Sequence, residues 1–218
     1  MTSETLCKNI QSNDFLSKAF YFGISLNTTV PKKQVYTDLE IFVLKATYSL
    51  SSSRITEGVL CWLKAYGHLL SPSKIRRLIL ASENYDSAVF GVFTDFLIRE
   101  CKNGHQFKIL LPFSSKLKAE TPLYSSPRIR TPNMNFKKYN LIAHSYKLDL
   151  SKFLLPKTNT YKTCVELRNR ALFGSTVNAD VASYLSYNPS ATAYKVSKET
   201  FHHKASVFKV FADIQESA

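Results

Sequence analysis

Six glycines in 218 residues leave no Gly-rich loop to cradle a nucleotide, and no GxSxG, HExxH or DxD-type motif stands anywhere in the sequence. Ser/His/Asp spacing of a hydrolase is absent as well, so the composition favours a non-enzymatic role without a cofactor. No apolar run reaches the roughly 20 residues that a membrane span needs. The N-terminal MTSETLCKNIQSNDF lacks the basic and apolar regions of a signal peptide, so a cytoplasmic location is the expectation. Cys7, Cys61, Cys101 and Cys164 are scattered, with no CxxC pair and no Cys/His zinc spacing; free thiols and no structural metal are expected. Acidic residues are few: 16 Asp/Glu stand against 29 Lys/Arg, a net charge of +13. The excess is local. Residues 102–163 hold 12 Lys/Arg against 2 Asp/Glu, a net +10, while the flanking segments are close to balanced. Such a block fits one face meeting a polyanion, or a solvated connection.

What is present is helical patterning over an apolar content of 44%, enough for a sizeable core. FLSKAFYF (Phe15 to Phe22) is too apolar for a free tail and is expected on the core. Thr37-Asp38-Leu39-Glu40 reads as a capping box, with Leu39, Phe42, Val43, Ala46 and Leu50 at helical spacing behind it. A second helix is expected from Arg54 to Gly67, with Val59, Trp62, Leu63 and Tyr66 inward and Gly67 as C-cap. Ser71-Pro72 opens a third, Ile75, Leu78 and Ile79 inward and Lys74, Arg76 and Arg77 outward, the arginines within reach of phosphate or simply solvated. Asp86 caps a fourth, with Val89, Phe93, Phe96 and Leu97 as its buried stripe.

After Gly104 the texture changes. FKILLPF (Phe107 to Phe113) and SYKLDL (Ser145 to Leu150) read as candidate strands. Between them, residues 114–138 carry Pro122, Pro127 and Pro132 among Lys116, Lys118, Arg128, Arg130, Lys137 and Lys138. With Tyr124 and Phe136 beside the arginines, this loop suits a phosphate backbone. VELRNRALFG then predicts a helix supported by a Glu166–Arg170 pair and ended by Gly174, with Arg168 and Arg170 in reach of phosphate.

From Ser175 to Ile214 the sequence predicts three short helices. Val177, Val181, Tyr184 and Leu185 make the first apolar face, which stops at Asn188-Pro189. The second begins near Thr192, with Ala193 and Val196 inward and Lys195 and Lys198 outward. The third carries Val207, Val210, Phe211 and Ile214 inward and His203, Lys204, Ser206 and Lys209 outward.

At ATAYKVSK (Ala191 to Lys198) followed by ASVFKVFADI (Ala205 to Ile214), the segment resembles the helix-turn-helix of winged-helix transcriptional regulators. The resemblance implies a transcriptional regulator that reads duplex DNA, with the last helix in the major groove, with contacts from Thr192, Lys195, His203, Lys204, Ser206 and Lys209, and with a homodimer as a further option. Phe201 stands where such families have glycine, and no wing hairpin follows Ile214 in this sequence. RECKNGH (Arg99 to His105) is similar to the Arg/His spacing of HEPN ribonucleases, which implies an alternative with Arg99 on phosphoryl charge and His105 as acid or base. An interaction module of a larger assembly is the third reading. The expected organisation is mainly α: a helical N-terminal domain at 1–113, a basic proline-containing connecting region at 114–163, and a winged-helix-like helix-turn-helix module without the wing at 164–218, with few short strands.

Overall fold

The computed structural model describes residues 14–26, 35–81, 84–124 and 132–216; for residues 215 and 216 it describes the backbone alone. Arg128 and Arg130 therefore lie outside the described residues. The chain is mainly helical. Helix α1 covers residues 14–21; α2 (Leu39–Ser49), α3 (Ser53–Tyr66), α4 (Pro72–Leu80) and α5 (Ser87–Glu100) follow, and then a 3-10 helix, Gly104–Phe113. Two-residue strands β1 (Thr121–Pro122) and β2 (Leu141–Ile142) pair in parallel around the short α6 (Met134–Lys137). The rest is α7 (Leu150–Phe153), α8 (Lys157–Thr163), α9 (Val165–Phe173), α10 (Val177–Tyr187), α11 (Ala193–Thr200) and α12 (Lys204–Glu216).

The helix starts follow local chemistry. The side chains of Asp38, Ser52, Ser71, Asp86, Thr176 and Thr192 each accept from an amide of the first turn. At α2 the cap is Asp38, which accepts from the amides of Glu40 and Ile41 at 3.0 and 3.2 Å, so the expected Thr37 capping box does not form. Glu40 turns inward instead, to the amide of Ser71 at 2.8 Å and the Arg170 guanidinium. Gly67 is not a left-handed cap: its φ is −56°, and the chain continues into a 3-10 turn, Gly67–Leu69. It is required by close approach, since a Cβ there would meet Leu97 Cδ2 at 2.4 Å.

The two candidate strands are not strands. Phe107 and Leu110 are buried and Phe113 is half-buried, with Ile109 and Leu111 exposed between them, a three-residue period that a 3-10 helix matches and a strand does not. In SYKLDL, Asp149 accepts from the amides of Ser151 and Lys152 and starts α7. The described part of the basic region is pinned to the helical body. Leu117 N–H donates to Tyr139 O, Thr121 to Asn140 and Asn133 to Ala143. Phe136 and Tyr139 are buried, and Lys138 reaches Asp95 at 2.5 Å.

Buried apolar side chains fall into two clusters. The larger spans α1 to α5, the 3-10 helix and α6, and includes Leu167 of α9 and Cys164 just before it; Phe15, Phe22, Phe42 and Trp62 form its aromatic centre. The smaller is Val181, Tyr184, Val196 and Val207, closed by Tyr36, Val210 and Phe211. It joins α10, α11 and α12. Val207 is buried as expected and Lys204 and Lys209 are exposed, but Ile214 is 47% exposed, because the small cluster ends at Phe211.

Candidate nucleic-acid interface

Lys74 fixes the geometry of the site from below. Although expected at the surface, it stands four residues before Leu78 on the inward face of α4 and is fully buried. Its ammonium lies 2.6 Å from Asp180 and 3.5 Å from Glu40, and it also pairs with Asp38. Arg170, expected at phosphate, is likewise buried: it donates to Asp180 at 2.7 and 2.9 Å, to Glu40 at 3.0 Å and to Leu69 O at 3.0 Å. Its partner is therefore not Glu166, and its guanidinium is not at the surface. The three carboxylates, whose oxygens lie within 4.8 Å of one another, would suit a cation, and the ammonium of Lys74 and the guanidinium of Arg170 supply two.

Three carboxylates against two permanent cations leave one negative charge in excess, and the titration follows from that. Burial pushes the Asp38 carboxyl up to about 7, against the pull of Lys74. Burial would also raise Glu40, but Arg170 and Lys74 outweigh it and hold Glu40 below the ordinary range. Asp180 is held far below that range, because Lys74, His202 and Arg170 together overcome its burial. Burial works against the charge on Lys74, yet the three carboxylates keep the ammonium well above the usual lysine value. The excess charge is thus met at Asp38.

A second polar contact lies beside the first. Glu166 accepts from Tyr21 Oη at 2.6 Å, from Tyr187 Oη at 3.3 Å and from the amide of Thr37 at 3.0 Å, and Tyr21 and Tyr187 bond to each other. Burial raises the Glu166 carboxyl, opposed by these donors. Together the two clusters tie α9 and α10 to α1, α2 and α4.

The surface elements are set by this frame. Phe201, between α11 and α12, has a left-handed backbone with φ 56°, at the position where glycine is favoured in a tight turn. His202, next in the chain, puts Nε2 2.6 Å from Asp180. His203, Lys204, Ser206 and Lys209 are then exposed, and the Lys204 ammonium lies 4.6 Å from the centre of the Tyr194 ring. Thr192 caps α11 and is exposed, as are Lys195 and Arg168. His203 and Ser206 line a cleft of about 580 Å³ together with Arg76 and Arg77 of α4. Thr192, Lys195, Lys204, Lys209 and Arg168 do not line it. Neither Arg76 nor Arg77 takes part in an ion pair among the described residues.

Tyr124 and Phe136 are buried, at 8% and 1% exposure, so neither ring is free to stack on a base. Arg99 donates to Asn135 Oδ1, and His105 is exposed on the 3-10 helix. Sequence reasoning missed Lys74, Asp180 and His202 as a group. Position held a signal for two of them: Lys74 is one turn from Leu78, and Asp180 is one turn from Tyr184, so each lies on an apolar face. Comparisons with protein-family models, with curated proteins and with solved structures find no match for this chain.

Proposed function

We propose that this chain binds duplex DNA through α11 and α12, in the manner of a helix-turn-helix regulator, with the first turn of α12 toward the bases. The observation that carries the reading is the division of α12. Val207 is buried in the small cluster, while His203, Lys204, Ser206 and Lys209 face out, and none of the ion pairs among the described residues involves Lys204 or Lys209. Unneutralised lysines beside hydrogen-bonding side chains are what phosphate positioning and groove contact require. Lys195 and Arg168, both exposed, and the exposed Lys116, Lys118 and Lys137 add charge for flanking phosphates.

Fluorescence anisotropy with duplex DNA, single-stranded DNA and RNA at two salt concentrations tests this. Lys209→Ala, if Lys209 contacts phosphate alone, weakens all duplexes alike and lowers the slope of log K against log salt by roughly 0.9. His203→Ala or Ser206→Ala instead changes preference among sites, by roughly 1–3 kcal/mol for a lost base contact. Point variants are preferred to deletion of α10 to α12, which removes Asp180 from the buried charge cluster. An absence of duplex binding at low salt refutes the reading.

Phe208 and Ile214, 53% and 47% exposed on α12, favour a second reading in which the helix docks on another copy of the chain. Sedimentation equilibrium decides it: the reading expects self-association that Phe208→Ser abolishes.

A further inference from the structure

We propose that the cleft between α4, α10 and the first turn of α12 is an anion site that takes a phosphate group, with Arg76 and Arg77 as its main contacts. It shares α12 with the DNA reading but does not depend on it. The first ground is charge. Two adjacent arginines of α4 line one concavity together with His203, and no Asp or Glu lines the space. Among the described residues, the buried cations Lys74 and Arg170 are matched by carboxylates, whereas these two arginines are exposed and lack that match.

The second ground is donor chemistry. Ser73 and Ser206 bring hydroxyls to the same cleft, while Thr176 beside them donates its own to Phe173 O and caps α10. A tetrahedral phosphate has enough acceptor oxygens to use a planar guanidinium fork and several hydroxyls at once, which a chloride or a single carboxylate does not. The third ground is size. A volume of about 580 Å³ exceeds what one phosphate fills, and Leu80 and Ile109, 64% and 47% exposed, form an apolar part of its wall. The phosphate is accordingly one group of a larger ligand. Two sources offer that chemistry, the backbone of a bound duplex and a free phosphorylated molecule.

Titration calorimetry of inorganic pyrophosphate into the full chain, at fixed ionic strength, tests the site. Binding is expected at one site, and Arg76→Gln with Arg77→Gln should weaken it by at least about tenfold, since two charge-assisted contacts are lost. Lys147→Gln with Lys162→Gln removes the same charge from exposed positions away from the cleft and should change it by less than about twofold. No binding of pyrophosphate, or equal weakening in the two double variants, overturns the proposal. Competition then separates the sources. Displacement of duplex DNA by pyrophosphate assigns the cleft to a backbone phosphate, and simultaneous binding assigns it to a free phosphorylated ligand. Pyrophosphate binding without any duplex binding upholds the cleft and sinks the DNA reading.

Discussion

Replacing Lys74 by methionine removes one of the two permanent cations from a cluster in which the Asp38, Glu40 and Asp180 carboxylates are buried. The methionine fills much of the lysine stem, so the change is mainly electrostatic. Three carboxylates then face Arg170 as the one permanent cation, and breaking a buried pair in this way costs roughly 3–5 kcal/mol. Against a total stability of roughly 5–15 kcal/mol, that is a large share. Its sign with pH follows from Asp38. A carboxyl raised from 3.8 to about 7 in the folded state contributes stability that is present at acid pH and is lost as pH rises through that value. In the variant two carboxylates, rather than one, need protons to balance the charge, so the defect is largest near pH 8 and shrinks toward pH 5. Trp62 is the single tryptophan and is fully buried, so its fluorescence in urea reports unfolding of the larger core. Adding Asp38→Asn to Lys74→Met restores part of the balance, and at least about 1 kcal/mol should return at pH 8. A loss under about 1 kcal/mol, or one of the same size at both pH values, would refute the electrostatic argument.

Two further substitutions probe packing. Gly91→Ala places a Cβ 2.2 Å from the Tyr139 ring, whose hydroxyl donates to Asp95 at 3.0 Å; urea titration should show a loss of roughly 1–3 kcal/mol, and a neutral result would mean that Tyr139 moves freely. Val207→Ala should cost about 2 kcal/mol in the same assay, whereas Lys209→Ala stays within about 0.5 kcal/mol, and equal effects would contradict the division of α12 into buried and exposed sides.

Helices with a local start signal were legible in the sequence. Ser71-Pro72, Asp86 and Thr192 open α4, α5 and α11 as expected, and Asn188-Pro189 ends α10. Gly174, with φ 72°, closes α9 by the freedom that its lack of a Cβ allows. An apolar run alone does not distinguish a strand from the three-residue period of the 3-10 helix at Phe107 to Phe113. Buried charge is the least legible feature. Lys74 and Arg170 are basic, and a basic residue is outward by default; their burial depends on Glu40 and Asp180, which are remote in the chain and come close only through folding. No local pattern encodes such a meeting. The exposed side of α12 was legible because its lysines alternate with Val207 at helical spacing, whereas Ile214 needed knowledge of where the small cluster ends.

The buried charges and the surface cleft share three elements. Helix α4 sends Lys74 into the cluster and, two and three residues later, Arg76 and Arg77 into the cleft. Helix α10 contributes Asp180 to the one and its cap Thr176 to the other, and the α11–α12 turn gives His202 to Asp180 while His203 lines the cleft. A displacement of any of these elements therefore alters both. The α4 helix and the turn before α12 are both bonded to Asp180, so the walls of the proposed phosphate site are held in place before any ligand arrives. This accounts for a feature that stability alone does not. Well-packed apolar residues would hold α4 and α10 together at least as strongly, but they would tolerate sliding, while Asp180, bonded at once to Lys74, Arg170 and His202, fixes one relative placement of α4, α9, α10 and the turn that starts α12.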